Sequence, residues 1–219
     1  GMMYYYNGDR YDGDWFQNKR QGRGIYTFSN GAFYRGQWNN DEKEGKGFFN
    51  WGDGSTYDGM WADNMRKGKG TYKYSDGDVY IGDWQNDIQN GKGVYKFQNG
   101  DRYEGDYVQG ERTGQGTFTY ADGDKYIGEF KEGEKDGQGT MTWDNGDTYT
   151  GQWKEDVQNG TGKLVKKNND VFEGQFHNGK VDGEVVIHYA NGNVFKGIYK
   201  DGQPDGPVIE ISSDGSRFE

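Results

Sequence analysis

Few side chains in this sequence are equipped for acid–base or nucleophilic chemistry. His177 and His188 are its only histidines, and cysteine is absent. A nucleophilic triad needs a base beside its nucleophile and an acid to orient that base. Neither histidine recurs near a serine at strand spacing. His177 is expected in a variable loop and His188 on a polar strand face, both solvated. "GQFHNGKV" at 174–181 approaches a phosphate loop, but Val181 stands where Ser or Thr is required and a hairpin pattern follows, not a helix. "DGDVYIGDW" at 76–84 misses a calcium loop because Tyr80 occupies a ligand position. "NGT" at 159–161 is a formal glycosylation acceptor that matters only in a secreted chain. Paired carboxylates such as Asp12 and Asp14 read as a solvated sheet surface. The expectation is a non-enzymatic protein with no catalytic residue, no metal and no cofactor.

Residues suited to binding are better represented, and they recur at one spacing. Arg23, Lys46, Lys69 and Lys92 stand 23 residues apart, supported by Lys73 and Lys96. The column then fades to Gln115, Gln138, Thr161, Glu184 and Pro207. It is a candidate stripe for anionic lipid. Across the hairpins lie Asp12, Asp14, Asp58, Asp83, Glu104 and Asp106, and opposite charges on paired strands neutralise one another. A second column, Phe28, Trp51, Tyr74, Phe97, Tyr120 and Trp143, keeps the same spacing, then becomes Lys166, Tyr189 and Ser212. Large rings near a turn edge are candidates to accept an extended segment or a helix of a protein partner. Val186, Ile198, Ile209 and Ile211 bring aliphatics to an otherwise polar face near the C-terminus. They read equally as an end cap and as the surface of a symmetric dimer.

What positions all of these is a repeat. "YEGDY" at 103 recurs as "YDGDW" at 11, "YRGQW" at 34, "YDGMW" at 57, "YIGDW" at 80, "YIGEF" at 126, "YTGQW" at 149, "FEGQF" at 172 and "FKGIY" at 195. A fixed period of this size marks a repeat architecture. Most of the 40 glycines fall into four columns of the 23-residue frame. One is the centre of the aromatic motif (Gly13 and its counterparts). Two form a Gly-x-Gly (Gly22, Gly24), whose second member becomes Val185 and Val208 in the last two repeats. The fourth follows Asn or Asp (Gly8, Gly31), with Asn169 as its one substitute.

The Asn-Gly and Asp-Gly pairs predict hairpins with two-residue type I′ turns. Asn169 tolerates the same left-handed backbone. Strand alternation then puts Tyr11, Gly13 and Trp15 on one face with Gly22, Gly24, Tyr26 and Phe28, a face of rings and glycine only. Asp12, Asp14, Arg23, Ile25 and Thr27 occupy the other. Glycine inside a strand costs about 0.5–1 kcal/mol relative to alanine, so packing that only glycine permits must offset it. The expected device is a ring from the next strand lying over bare backbone.

"YEGDYVQGERTGQGTFTYADGD" at 103–124 resembles the MORN repeat: Tyr-x-Gly-x-Trp, a loop, Gly-x-Gly-Thr-Tyr, then Asp-Gly. The resemblance covers the whole chain as one continuous array over residues 2–219, with half units at each end. Departures are Gln21, Glu44 and Lys67, with their counterparts, where the family often has His, and the two lost glycines of repeats eight and nine. The resemblance implies an all-β fold, an elongated single-layer antiparallel meander of hairpins in the form of a half-pipe solenoid. It also implies a scaffold or docking module, cytoplasmic and at a cytoskeletal or ciliary structure, with protein partners. A peripheral module for phosphoinositide-type lipid and a regulatory part of a larger enzyme are the alternatives. About 19 strands at roughly 4.8 Å would give a sheet about 90 Å long.

Composition agrees with those expectations. Only 30% of residues are hydrophobic, too few for an aliphatic core, but aromatics make up 17%, too many for a disordered chain. No apolar run reaches the 18 or so residues of a membrane helix, and no signal peptide is read. Gly1 ahead of Met2 and Met3 reads as a cloning remnant. A net charge of −10 argues against nucleic acid as a partner, and absent cysteine fits a reducing compartment.

Overall fold

A computed structural model describes residues 1–218, and every regular element in it is a β-strand. Contacts cluster into two units, Gly1–Glu111 and Arg112–Glu219. The first holds β1 (Met2–Tyr4), β2 (Arg10–Phe16), β3 (Lys19–Thr27), β4 (Phe33–Asn39), β5 (Glu42–Asn50), β6 (Thr56–Ala62), β7 (Met65–Lys73), β8 (Val79–Gln85), β9 (Ile88–Lys96) and β10 (Arg102–Val108). The second holds all but the first residue of β11 (Glu111–Thr119), then β12 (Lys125–Lys131), β13 (Glu134–Thr142), β14 (Thr148–Lys154), β15 (Val157–Val165), β16 (Val171–His177), β17 (Lys180–His188), β18 (Val194–Lys200), β19 (Gln203–Ile211) and β20 (Arg217–Phe218). Within each unit every strand pairs antiparallel with its sequence neighbours, so each is a meander.

The two connections of a repeat are the reverse of what the Asn-Gly signal suggests. Phe28 and Ala32 close a loop around Ser29, Asn30 and Gly31, with Gly31 N–H donating to Phe28 O at 2.9 Å. Of these three only Gly31 has positive φ, at 89°, so this is a type I turn with a left-handed third residue. Asn169 fills that position at φ 69°. The type I′ turn lies instead between β2 and β3, where Gln17 (φ 48°) and Asn18 (φ 61°) join Phe16 directly to Lys19. The expected variable loop is therefore a two-residue turn between long strands, and His177 ends β16 instead of sitting in a loop.

Parity survives a bulge. Gly13 pairs with Gly24, but Trp15 pairs with Arg20, so β3 carries two extra residues around Gly22. The bulge frees the N–H of Arg23, and the Asp14 carboxylate accepts it at 2.9 Å; Gln37, Asp83, Glu129 and Gln152 do the same in their repeats. These polar side chains thus hold the bulge and are not free surface acids.

The glycine seats exist, but their occupant differs from the expected one. Tyr11 lies along its own strand, over Gly13 and over that residue's cross-strand partner Gly24. Its hydroxyl donates to Asp14 O at 3.0 Å. The same geometry recurs for Tyr34, Tyr57, Tyr80, Tyr126 and Tyr149, all with no exposed surface. The next repeat contributes a tryptophan against the other side. Trp61 stands edge-on to Tyr34 at 5.4 Å and donates Nε1–H to Gly47 O at 3.1 Å. These rows of Tyr and Trp are the core. Where Phe172 and Phe195 lack the hydroxyl, Val185 and Val208 replace the second glycine, and Val185 is 3% exposed.

Candidate functional site

The ring-bearing face is not rings and glycine only. Arg20 pairs with Trp15 across the hairpin and so shares its side of the sheet. Its guanidinium lies 4.3 Å from the Trp38 ring and 5.1 Å from Tyr26. Its Nε meets Asp41 Oδ1 at 3.1 Å in the turn of the next repeat, and the backbone N–H and guanidinium of Arg20 hold that carboxyl below its ordinary range against the effect of burial. Arg66 repeats the arrangement with Trp84 and Asp87. Lys135 does so with Trp153 and Asp156. Lys43 differs: Asn64 stands in the acid's place, accepting only the backbone N–H. Its Nζ lies 4.5 Å from Trp61 and 5.0 Å from Phe49, and burial lowers its pKa, partly countered by Asp87. Sequence reasoning missed this column, although a basic residue two positions before Gly22, Gly45, Gly68, Gly114 and Gly137 was a readable signal.

The six edge rings divide between the units. In the first, Phe28, Trp51, Tyr74 and Phe97 alternate with Tyr26, Phe49, Tyr72 and Tyr95, and Tyr5 starts the row. Successive centroids stand 4.5 to 5.8 Å apart. The row is continuous, and all four edge rings are only half-buried. In the second unit Tyr120 packs on Phe118 at 4.5 Å and accepts a hydrogen bond from Lys135 Nζ at 3.0 Å. Trp143 is half-buried beside a depression of about 300 Å³ that also includes Leu164, Lys166 and Phe176, and Met141 and Leu164 take the interleaving places. Within the first unit the row thus runs from Tyr5 to Phe97.

On the opposite face the basic stripe splits in two. Lys69 Nζ meets Asp83 at 2.7 Å and Lys92 Nζ meets Asp106 at 2.6 Å, so cross-strand pairing neutralises both. Arg23 and Lys46 face Gln37 and Met60 instead.

Near the C-terminus Val186, Ile198 and Ile209 line a depression of about 810 Å³ with Lys196 and Pro207, while Ile211 sits in β19 at its far end. Ile198 is 49% exposed. Among the described residues no group of three or more His, Cys, Asp or Glu is placed to hold a metal ion, and no helix is long and apolar enough to cross a membrane.

Successive hairpins, glycine seats and a tyrosine–tryptophan core define an all-β repeat protein. The chain belongs to the MORN-repeat family, whose model matches nine consecutive stretches: 11–33, 34–56, 57–79, 80–102, 103–125, 126–148, 149–171, 172–194 and 195–217. No curated protein matches it. Among solved structures it is similar to the TCP10 domain of Danio rerio CPAP in complex with a STIL peptide, at 14% identity and TM-score 0.48, over 100% of this chain and 96% of that one. It is also similar to the SAS-4 TCP domain of Drosophila melanogaster with a proline-rich motif of Ana2, at 16% identity and TM-score 0.45, over 69% of this chain and 82% of that one.

Proposed function

We propose that the chain is a non-enzymatic, continuous docking array for protein partners, cytoplasmic and stationed at a cytoskeletal or ciliary structure as the family resemblance implies. The observation that carries this reading is the unbroken, half-exposed ring ladder of residues 5–97. Rings lose little side-chain entropy on binding and dominate interface energetics. The occupant is an extended segment or a helix with apolar side chains over Phe28, Trp51 and Tyr74, and an acidic residue opposite Lys43, which has Asn64 where its counterparts Arg20 and Arg66 have a carboxylate.

Proximity labelling in the native cell identifies candidates, and purified candidates are then titrated. Phe28→Ser, Trp51→Ser and Tyr74→Ser together should weaken at least one candidate by more than about thirtyfold, on the roughly 2 kcal/mol expected of a single buried anchor ring. Lys69→Gln with Lys92→Gln, on the other face, should change nothing. Trp51→Ala alone, checked for an unchanged melting temperature, covers the case of a misfolded triple variant. Equal affinity for every candidate would reject the docking face. Flotation with phosphoinositide vesicles that depends on Lys69 and Lys92 would favour the lipid module.

We also assign the C-terminal aliphatic depression to a second copy of the chain. A solenoid cap turns polar residues outward, whereas Ile198 is exposed and Val186 and Ile209 are half-buried. Sedimentation equilibrium should give a dimer mass, and Ile198→Asp with Ile209→Asp should give a monomer. A monomeric parent protein would reject this assignment.

A further inference from the structure

We propose that Arg23, Arg35 and Lys46 form a binding site for a phosphate group carried on a partner protein segment. The three line a single open depression of about 390 Å³ on the face opposite the rings. Its floor is strand backbone with Ile25, which is 39% exposed. The register brings them together. Arg23 pairs with Gln37 and Ile25 with Arg35, so the two arginines are diagonal neighbours, at a spacing long side chains bridge. Lys46 is tied to the same Gln37, whose Oε1 accepts its N–H at 2.8 Å.

The repeat supplies its own comparison. One and two repeats past Lys46 in the same column, Lys69 and Lys92 each have an acid across the strand pair and form an ion pair with it. At Arg23 and Lys46 the facing residue is neutral, and it is here that a third cation, Arg35, is added. Among the described residues none of the three makes an ion pair, and Arg35 instead lies 5.7 Å from the Phe48 ring. Asp14, the acid nearest Arg23 in sequence, has one carboxylate oxygen accepting that residue's backbone N–H. Three positive charges thus stand around one hollow with neutral residues directly facing Arg23 and Lys46, in a chain whose net charge is −10.

Like charges held together raise the energy of the empty site, and an anion relieves it. Two guanidinium forks and an ammonium match the oxygens and near-double charge of a phosphate monoester; one carboxylate would leave most of the charge unmet. The hollow has room beyond the phosphate for a flanking side chain over Ile25. A flat anionic leaflet fits worse, because Asp12 and Asp58 lie one strand position away, beside Ile25 and Phe48, and the chain's net charge opposes approach.

The test follows the Arg Nε–H resonances of the whole chain by NMR during titration with N-acetyl-phosphoserine methylamide, and with the same compound lacking phosphate. Saturable shifts at Arg23 and Arg35 with the first, and none with the second, are expected. Arg35→Gln with Lys46→Gln should weaken binding at least tenfold, whereas Lys69→Gln with Lys92→Gln should leave it unchanged; each variant's melting temperature reports folding. Equal shifts with the unphosphorylated compound, or equal losses in both variants, would overturn the site. A parallel arm uses vesicles of phosphatidylcholine with phosphatidylinositol bisphosphate. Flotation that depends on Arg35 and Lys46 would reassign the site to lipid and reject the protein segment.

Discussion

Gly162→Val is expected to destabilise the chain by roughly 3–5 kcal/mol, among the larger effects of a single substitution. A Cβ at Gly162 meets the Tyr149 ring at well under contact distance. Tyr149 has no exposed surface and donates its hydroxyl to Gln152 O at 3.0 Å, so it can yield only by leaving a packed site and a satisfied hydrogen bond. Gly162 is not among the positive-φ glycines, so valine is acceptable to the backbone and the cost is one of packing. The next repeats indicate the remedy. Phe172 goes with Val185, and Phe195 with Val208: ring without hydroxyl, seat with side chain. Tyr149→Phe in the Gly162→Val background should therefore recover at least about 1 kcal/mol, although Tyr149→Phe alone should destabilise. Urea unfolding midpoints of the four proteins measure the coupling. Additive effects would mean that ring and seat are independent, contrary to the packing of Tyr149 over Gly162.

The second large effect is alkaline unfolding between about pH 10 and 12. Burial first of all raises the pKa of Tyr11 and of Tyr149 to about 12, and pushes Tyr34, Tyr57, Tyr80 and Tyr126 upward as well. Below about pH 10 both folded and unfolded chains keep these protons, and the stability from burying neutral phenols is complete. Above it the unfolded chain ionises first, binds fewer protons, and is favoured as pH rises through the folded pKa. One such tyrosine contributes about 1.4 kcal/mol per pH unit. Six of them, discounted by about half for solvent screening, still give roughly 4 kcal/mol per unit, enough to exhaust a typical domain stability within two units. Tyrosinate absorbance and strand circular dichroism should change together in one steep step. A smooth titration with the strand signal intact would show that the phenols ionise inside the fold.

Among residues, Asn169 shows what was legible without coordinates. Standing in a glycine column, it announced a left-handed position, and φ 69° is the result. The period of 23, the side of the sheet taken by Tyr11, Gly13 and Trp15, and the cross-strand pairing of Lys69 and Lys92 were equally readable. Each depends on alternation and spacing within a few residues of chain. The turns were misassigned because Asn-Gly serves two hairpin types, and only the residues flanking it decide which. Phe16 and Lys19 are adjacent strand ends, so Gln17 and Asn18 must both be left-handed despite not being glycine. The Arg20 column escaped notice because a basic residue near a turn ordinarily points to water.

What the sequence by itself determined was a periodic sheet of hairpins with rings and glycines on one face, because strand alternation and glycine placement are local properties. What only the tertiary structure decided was which partner each side chain meets. Tyr11 turned along its own strand, Arg20 reached into the next repeat, and Arg23 and Lys46 were left facing neutral residues. Those outcomes depend on how a bulge shifts one strand against its neighbour, and register between strands is set by packing across the sheet, which no stretch of a single repeat contains.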